Sequence, residues 1–467
     1  MIFTELRFIP FLLVVFGVHW LLPGHRSRKV WLLICSYVFY AAWDWRFLSL
    51  IWISTLVDYL VGLRLGALPP DDPARRRWLL VSLWANLVLL GTFKYLGFFV
   101  ESAIALLDWL GIGADPWTLR IVLPVGISFY TFQTLSYSID IYRGRLEPVR
   151  SLLDVALFVG FFPQLVAGPI VRASDFLPQL NRARRLDDVV WRSCILLFLS
   201  GFAKKACISD NLSLIVDEFY LHPERYDLLA TWIGILAYSA QIYCDFSGYS
   251  DMAIASAGIL GYTIPLNFDF PYLATNIREF WRRWHVSLSS WLRDYLYIPL
   301  GGGKGKPWHR NRSLMLTMLL GGLWHGAAWR FVLWGGLHGA ALAAYREYND
   351  RVPARFRGRV PVVVATVATF GSVALLWIPF RATSMADATT VVASAFGQGA
   401  GTTSADWRLL VVFAGLAAAH WIASSGKPAR ALVRAPGWVF AAWVGIAIAC
   451  ISAFSARAVE PFIYFQF

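Results

Sequence analysis

Long apolar stretches alternate with short charged turns along most of this 467-residue chain. Phe8–Leu22, Val30–Trp43, Phe47–Leu63, Trp78–Val100 and Ile121–Ile141 are predominantly apolar, without the two-residue alternation of a half-buried strand. As helices they have lengths suited to entering or crossing a hydrocarbon layer. The turns between them alternate in sign. Arg26, Arg28 and Lys29 are followed by the Asp44-Trp45-Arg46 turn, then by Arg64 and Arg75–Arg77, then by Glu101, Asp108 and Asp115, then by Arg143, Arg145 and Arg150. Basic turns stay on the cytoplasmic side, which puts the N-terminus outside. No short apolar region with a small-residue cleavage site stands apart at the start, so Phe8–Leu22 is expected to be retained as a membrane segment.

The alternation stops at Leu152–Val171, which has basic residues on both flanks and is interrupted by Pro163, Gly168 and Pro169. Such a segment is predicted to be re-entrant or tilted, because broken backbone at membrane depth is tolerated only when protein or a cavity covers it. Trp191–Ile208 then leads out to Asp217, Glu218, Glu224 and Asp227, and Leu228–Tyr243 leads back in. Asp245–Arg312 has no long apolar run and is rich in aromatic and basic residues, which predicts short interfacial or folded-in helices. Ser313–Ala327 and Arg330–Ala344 form two limbs that meet near His325. They are followed by Arg351, Arg355, Arg357 and Arg359, so the pair is expected to be a hairpin rising from the cytoplasmic face. Val360–Phe380, Leu409–Ala423 and Trp438–Phe454 complete the pattern, with Asp406 outside, Lys427, Arg430 and Arg434 inside, and the C-terminus outside. The expectation is one all-α integral membrane domain over residues 1–467, with about eleven crossing or hairpin segments.

Composition agrees with this pattern. The chain is 58% hydrophobic, and its 15% charged residues fall well below the roughly 25% of soluble domains. The net charge of +13 is dispersed in short clusters between apolar segments, which fits membrane topology better than nucleic-acid binding. Cys35, Cys194, Cys207, Cys244 and Cys450 are scattered without metal-ligand spacing and are expected to be small core residues, neither a disulfide framework nor a zinc site.

Candidate chemistry centres on Leu319–Trp329, where His325 lies in an apolar, glycine-rich stretch. An ionisable side chain at membrane depth usually faces a cavity and carries function. A packing histidine bonded to a carbonyl fits the same segment. On a continuous helix His338, thirteen residues later, would point about 220° away from His325. Two polar stretches accompany the hairpin. Gln241–Asp251, with Gln241, Asp245, Ser247 and Tyr249, suits either a site or a capped helix end followed by a turn. Asn276–Asp294, with Arg278, Arg282, Arg283, Arg293 and Asp294, offers bidentate donors for an anionic group such as the phosphates of a nucleotide thioester. Headgroup snorkelling accounts for the same residues. Gly301–Lys306 lacks the spacing of a phosphate-binding loop and reads as a flexible basic loop.

Five stretches together resemble the membrane-bound O-acyltransferase family (MBOAT), in its alginate O-acetyltransferase branch. They are Phe161-Phe162-Pro163-Gln164-Leu165-Val166-Ala167-Gly168-Pro169-Ile170, Asp245-Phe246-Ser247-Gly248-Tyr249-Ser250-Asp251, Phe280–His285 through Pro299-Leu300-Gly301-Gly302, Gly322-Leu323-Trp324-His325-Gly326, and Pro461–Phe467. The resemblance implies an MBOAT-like multi-helix bundle with a funnel and a central tunnel. It also implies His325 as the family's catalytic histidine and His285 as the second tunnel-side position; Trp324, beside His325 in sequence, is expected to bind substrate or donor. By the same resemblance, His325 would take the proton of an acceptor hydroxyl as that hydroxyl attacks an acyl thioester, while His285 orients or polarises the partners. Acetyl-CoA is the implied donor substrate, and no bound cofactor or metal is expected. Membrane lipid and a periplasmic, esterase-like polysaccharide acetyltransferase are the implied partners, in the bacterial inner membrane with both termini periplasmic. Two alternatives stay open. One is D-alanyl or other acyl transfer from a thioester on a carrier protein; the other is transport of a lipid-linked saccharide with His325 in a proton relay, since transporters also use broken helices.

Overall fold

The computed structural model describes residues 1–113, 121–166, 168–353, 360–456 and 461–463. Asp115, Ala167, Arg355, Arg357, Arg359 and the closing residues 464–467 lie outside the described residues, as do the readings placed on them. Helices are the regular structure of the described residues; among these there is no strand, only an isolated bridge between Tyr226 and Thr403. The chain divides into two compact units, Met1–Trp191 with Ala253–Pro265, and Arg192–Met252 with Leu266–Phe467.

The first unit holds α1 (Phe8–Leu21), α2 (His25–Asp44), α3 (Leu48–Ala67), α4 (Ala74–Leu90), α5 (Leu96–Trp109), α6 (Ile127–Tyr142), α7 (Leu152–Gly160), α8 (Phe162–Leu165) and α9 (Ala173–Leu180). Helix α6 is buried on almost every side, which requires its polar side chains to find partners inside the protein. Gly126 precedes it with φ 76°, and a Cβ there would stand 2.5 Å from the Leu165 carbonyl oxygen, so only glycine fits. Ser151 caps α7 by accepting from the Asp154 N–H at 3.3 Å, and Lys29 of α2 donates to the Asp154 carboxylate at 2.7 Å. The predicted interruption of Leu152–Val171 is present: α7 stops at Gly160, α8 is four residues long, and α9 starts only at Ala173.

The second unit begins at Arg192, within α10 (Trp191–Phe202), and continues through a widened π-type stretch over Ala203–Ser209 and α11 (Asp210–Leu221). Next comes α12 (Leu228–Ile259), which belongs to this unit as far as Met252. Two short helices follow, α13 (Ile277–Arg283) and α14 (Val286–Leu292), as expected for a region without a long apolar run. Then come α15 (Pro307–His325), α16 (Trp329–Arg351), α17 (Val362–Leu376), α18 (Ile378–Arg381), α19 (Met385–Ala395), α20 (Arg408–Ser424), α21 (Lys427–Arg434) and α22 (Gly437–Phe454).

Among the described residues, four helical stretches are long and apolar enough to cross a membrane: His25–Ala67, Ala74–Trp109, Val362–Arg381 and Gly437–Phe454. Helices α20 and α21, bent by 62°, make a fifth if counted as one span. The protein is therefore a multi-pass membrane protein. Of the cysteines, Cys35 and Cys244 are buried as expected, Cys194 and Cys207 are half-buried, and Cys450 on α22 is exposed and is not a core residue.

Candidate active site

The polar run Gln241–Asp251 sits inside α12 rather than at a helix end, contrary to the capped-end reading. Lysine partners and close packing explain why the helix continues. Lys205, from the widened turn Ala203–Ser209, reaches the Asp245 carboxylate at 2.7 Å and that of Asp210 at 2.6 Å, all three side chains being almost fully buried. Lys204 pairs with Asp251 at 2.5 Å. Gly201 and Gly248 let the two backbones touch: a Cβ on either would lie 2.6 Å from the other's carbonyl oxygen. With their charges neutralised in place, Asp245 and Asp251 gain nothing from breaking the helix to reach water. The second Asp245 oxygen accepts from the Ile463 N–H at 3.0 Å, and Phe462 packs on Phe246 and Tyr249 at ring distances of 5.3 and 4.7 Å.

The expected hairpin is present and sharp. Helices α15 and α16 meet at Gly326–Ala328, with His325 as the last residue of α15. The limbs approach at Gly322 and Gly335, where a Cβ would overlap the carbonyls of Phe331 and Met318 respectively. Because the chain folds back, His338 comes to the same side as His325. Trp334 stands between them, 5.0 Å from the His325 ring and 4.8 Å from that of His338. The 220° separation holds only for a continuous helix, and the break at Gly326 removes it. Trp281 donates its indole N–H to His338 Nδ1 at 3.3 Å.

His285 occupies the two-residue link between α13 and α14 and is fully buried, with left-handed backbone angles of φ 43° and ψ 54°. Its ring centroid is 6.4 Å from that of His325, so the two histidines predicted from sequence stand together. Trp324 joins them, 6.0 Å from His285 and 5.1 Å from His325, and Phe246, Phe268, Trp334 and Phe380 complete an aromatic wall. Asn267, which nothing in its local sequence marks, holds His285 through Nδ1 at 3.0 Å. The His285 Nε2 atom is buried and has no hydrogen-bond partner among the described residues.

The other predicted residues divide by exposure. Gln241, Asp245, Ser247 and Tyr249 are buried, and Asp245 is engaged by Lys205 and Ile463. Arg278, Arg282 and Arg293 are exposed and Arg283 is half-buried. Arg278 lies over the Tyr345 ring, Arg283 pairs with Glu279 at 2.7 Å, and Arg293 forks onto Asp294 at 2.7 and 3.0 Å. They flank His285 in sequence, Arg278, Arg282 and Arg283 on α13 and Arg293 directly after α14.

Two histidines, one of them presenting an open nitrogen inside an aromatic wall, provide proton-transfer groups in a place that excludes bulk water. Residues 146–373 match the model of the membrane-bound O-acyltransferase family. A probable alginate O-acetylase, AlgI, of Pseudomonas putida is 39% identical to this chain over 100% of both. The chain belongs to the membrane-bound O-acyltransferase family. A probable alginate O-acetylase of Pseudomonas aeruginosa is 43% identical over 82% of this chain and 73% of its own, and a peptidoglycan O-acetyltransferase of Helicobacter pylori is 37% identical over 84% and 79%. This membrane-bound O-acyltransferase is thus an acyl-transferring enzyme.

Proposed function

We propose that the enzyme takes an acetyl group from acetyl-CoA on the cytoplasmic side and passes it across the membrane for O-acetylation of an exopolysaccharide or cell-wall polymer. The observation that carries this reading is the buried His285–His325 pair at the apex of the α15–α16 hairpin. The names of the relatives, a probable alginate O-acetylase and a peptidoglycan O-acetyltransferase, support the polymer class.

In this reading His325 takes the proton from an acceptor hydroxyl as its oxygen attacks the thioester carbonyl carbon. The new C–O bond forms, the C–S bond breaks, and the departing thiolate recovers the proton from the imidazolium. No acyl-histidine is needed. A positioned base of this kind contributes about 10²- to 10⁴-fold. Arg278, Arg282, Arg283 and Arg293 hold the donor's phosphates, consistent with their place on α13 and just past the end of α14, on either side of His285. Gln241, Ser247 and Tyr249 line the approach from α12, and Asp245 keeps that helix in register. The enzyme works in the bacterial inner membrane with periplasmic termini, about eleven membrane segments surround a central tunnel, and a periplasmic esterase-like acetyltransferase receives the acetyl group.

The test is release of free thiol from acetyl-CoA by the purified enzyme in nanodiscs, with and without a polysaccharide-side acceptor. Release by wild type that is lost in His325→Ala, at unchanged folded yield, is the expected result. Equal release by both proteins would remove His325 from the chemistry. Absence of release with a competent acceptor would overturn the acetyl-CoA assignment, and the same assay repeated with an acyl carrier protein thioester identifies the other donor class.

A further inference from the structure

We infer that Asn267 is a positioning residue that locks His285 into one tautomer, so that His285 meets its substrate only as a hydrogen-bond acceptor. The inference rests on the assignment of His285 to the reacting centre made above, and it decides between the two roles, orienting or polarising, open to that residue.

Asn267 is completely buried and grips the His285 turn at four points. Its main-chain carbonyl accepts from the Val286 N–H at 2.9 Å. Its side-chain Oδ1 accepts from the Ser287 hydroxyl at 2.8 Å, from His285 Nδ1 at 3.0 Å and from the Ser287 backbone N–H at 3.4 Å. Its Nδ2 donates to Ser250 Oγ at 2.9 Å. An amide's oxygen and nitrogen are assigned from their partners, and here a backbone N–H decides. It can only donate, so the atom facing Ser287 is the oxygen, and His285 Nδ1 must supply a hydrogen to it. In the neutral ring the proton is then on Nδ1, and Nε2 carries the lone pair.

Three observations point the same way. Nε2 is buried and has no partner among the described residues. The rings around His285 are Phe246, Phe268 and Trp324, and among the described residues His325 is the titratable side chain in ring contact with it, so the surroundings favour the uncharged imidazole. His285 also keeps a left-handed backbone, which a bulky residue adopts only when its surroundings impose it, and the Asn267 contacts to residues 285–287 bridge that turn. A ring held this way accepts a hydrogen bond from a second donor group of the acceptor and so aims the reacting oxygen, whose own proton goes to His325, at the acyl carbon. It has no Nε2–H with which to polarise the thioester carbonyl.

The experiment uses the full-length enzyme in nanodiscs and follows thiol release from acetyl-CoA against pH for wild type, His285→Ala, Asn267→Ala, Asn267→Asp and the double variant His285→Ala/Asn267→Ala. Asn267→Ala is expected to lower kcat at least about 10-fold with an unchanged KM for the donor. Added to His285→Ala it should cost nothing further, because Asn267 acts through that ring. An aspartate also accepts from Nδ1 and keeps the tautomer. Asn267→Asp should therefore outperform Asn267→Ala at alkaline pH and lose rate at a higher pH than wild type on acidification, as the imidazolium forms. A purely structural asparagine predicts the opposite order, since a buried carboxylate disrupts the fold more than alanine does. Asn267→Asp activity that rises on acidification would mean a polarising Nε2–H and overturn the proposal. So would Asn267→Ala at wild-type kcat, or Asp no better than Ala at every pH. The aspartate profile against His285→Ala decides the matter if Asn267→Ala does not fold. If His285→Ala keeps full kcat while His325→Ala is dead, the assignment of His285 fails and takes the proposal with it. If His285→Ala is impaired and the Asn267 variants are not, only the proposal fails.

Discussion

Two buried polar clusters, one in each unit, show what separates a site from a structural network. In the first unit the Asp58 carboxylate of α3 is almost fully buried and is filled by donors from two other helices. Ser82 of α4 and Ser138 of α6 donate to one oxygen and Asn86 of α4 donates to the other at 2.6 Å, while Ser54 donates to Asn86 Oδ1, also at 2.6 Å. In the second unit, Asn267 satisfies one side of His285 and leaves the other nitrogen open. Burial is common to both clusters. What differs is completion: a carboxylate with both oxygens engaged by internal donors is already satisfied without a substrate, whereas a half-satisfied imidazole holds one direction open.

The comparison can be broken by substitution, and the largest effect should come at the open site. His325→Ala is expected to reduce thiol release by about 10²- to 10⁴-fold while thermal unfolding stays at the wild-type temperature. A variant that is both inactive and unfolded would return His325 to the structural class. Next in size, Lys205→Met leaves Asp210 and Asp245 buried without their cation and should cost about 3–5 kcal/mol of stability, measured as loss of folded yield and of unfolding temperature. A stable Lys205→Met protein would show that the pair is not what keeps α12 helical through Asp245.

Asp58→Leu probes the completed cluster. Its hydroxyl and amide partners lose their acceptor, so a stability loss of about 1–3 kcal/mol is expected at an unchanged rate per folded molecule. A specific fall in kcat would mean that the first unit carries chemistry as well. The smallest effect is assigned to Arg293→Gln, which removes an exposed guanidinium and its fork to Asp294. Stability should move by less than about 1 kcal/mol. The donor KM should rise with kcat unchanged, and an unaltered KM would take Arg293 out of the donor site.

Much of this architecture was legible locally. The apolar spans, the interruption after Gly160, the short helices between Asn276 and Asp294 and the hairpin ending at His325 follow from neighbouring residues: run length, prolines, glycines and the signs of flanking charges. The same local rules misread Gln241–Asp251, where Asp, Ser and Gly suggest a helix end. The partners that keep α12 intact are Lys204 and Lys205 on another helix, and Ile463, 218 residues beyond Asp245. They also misplaced His338, because a helix angle is meaningful only until the chain turns.

By itself, then, the sequence determined a helical membrane protein with a histidine at the tip of a glycine-rich hairpin, since hydropathy and backbone freedom are properties of adjacent residues. Only the tertiary structure decided which lone pair His285 presents. That depends on Asn267, 18 residues earlier, and on the orientation of its amide toward a backbone N–H. Hydrogen bonds of this kind are short in space and unrelated to spacing along the chain, so no local pattern records them.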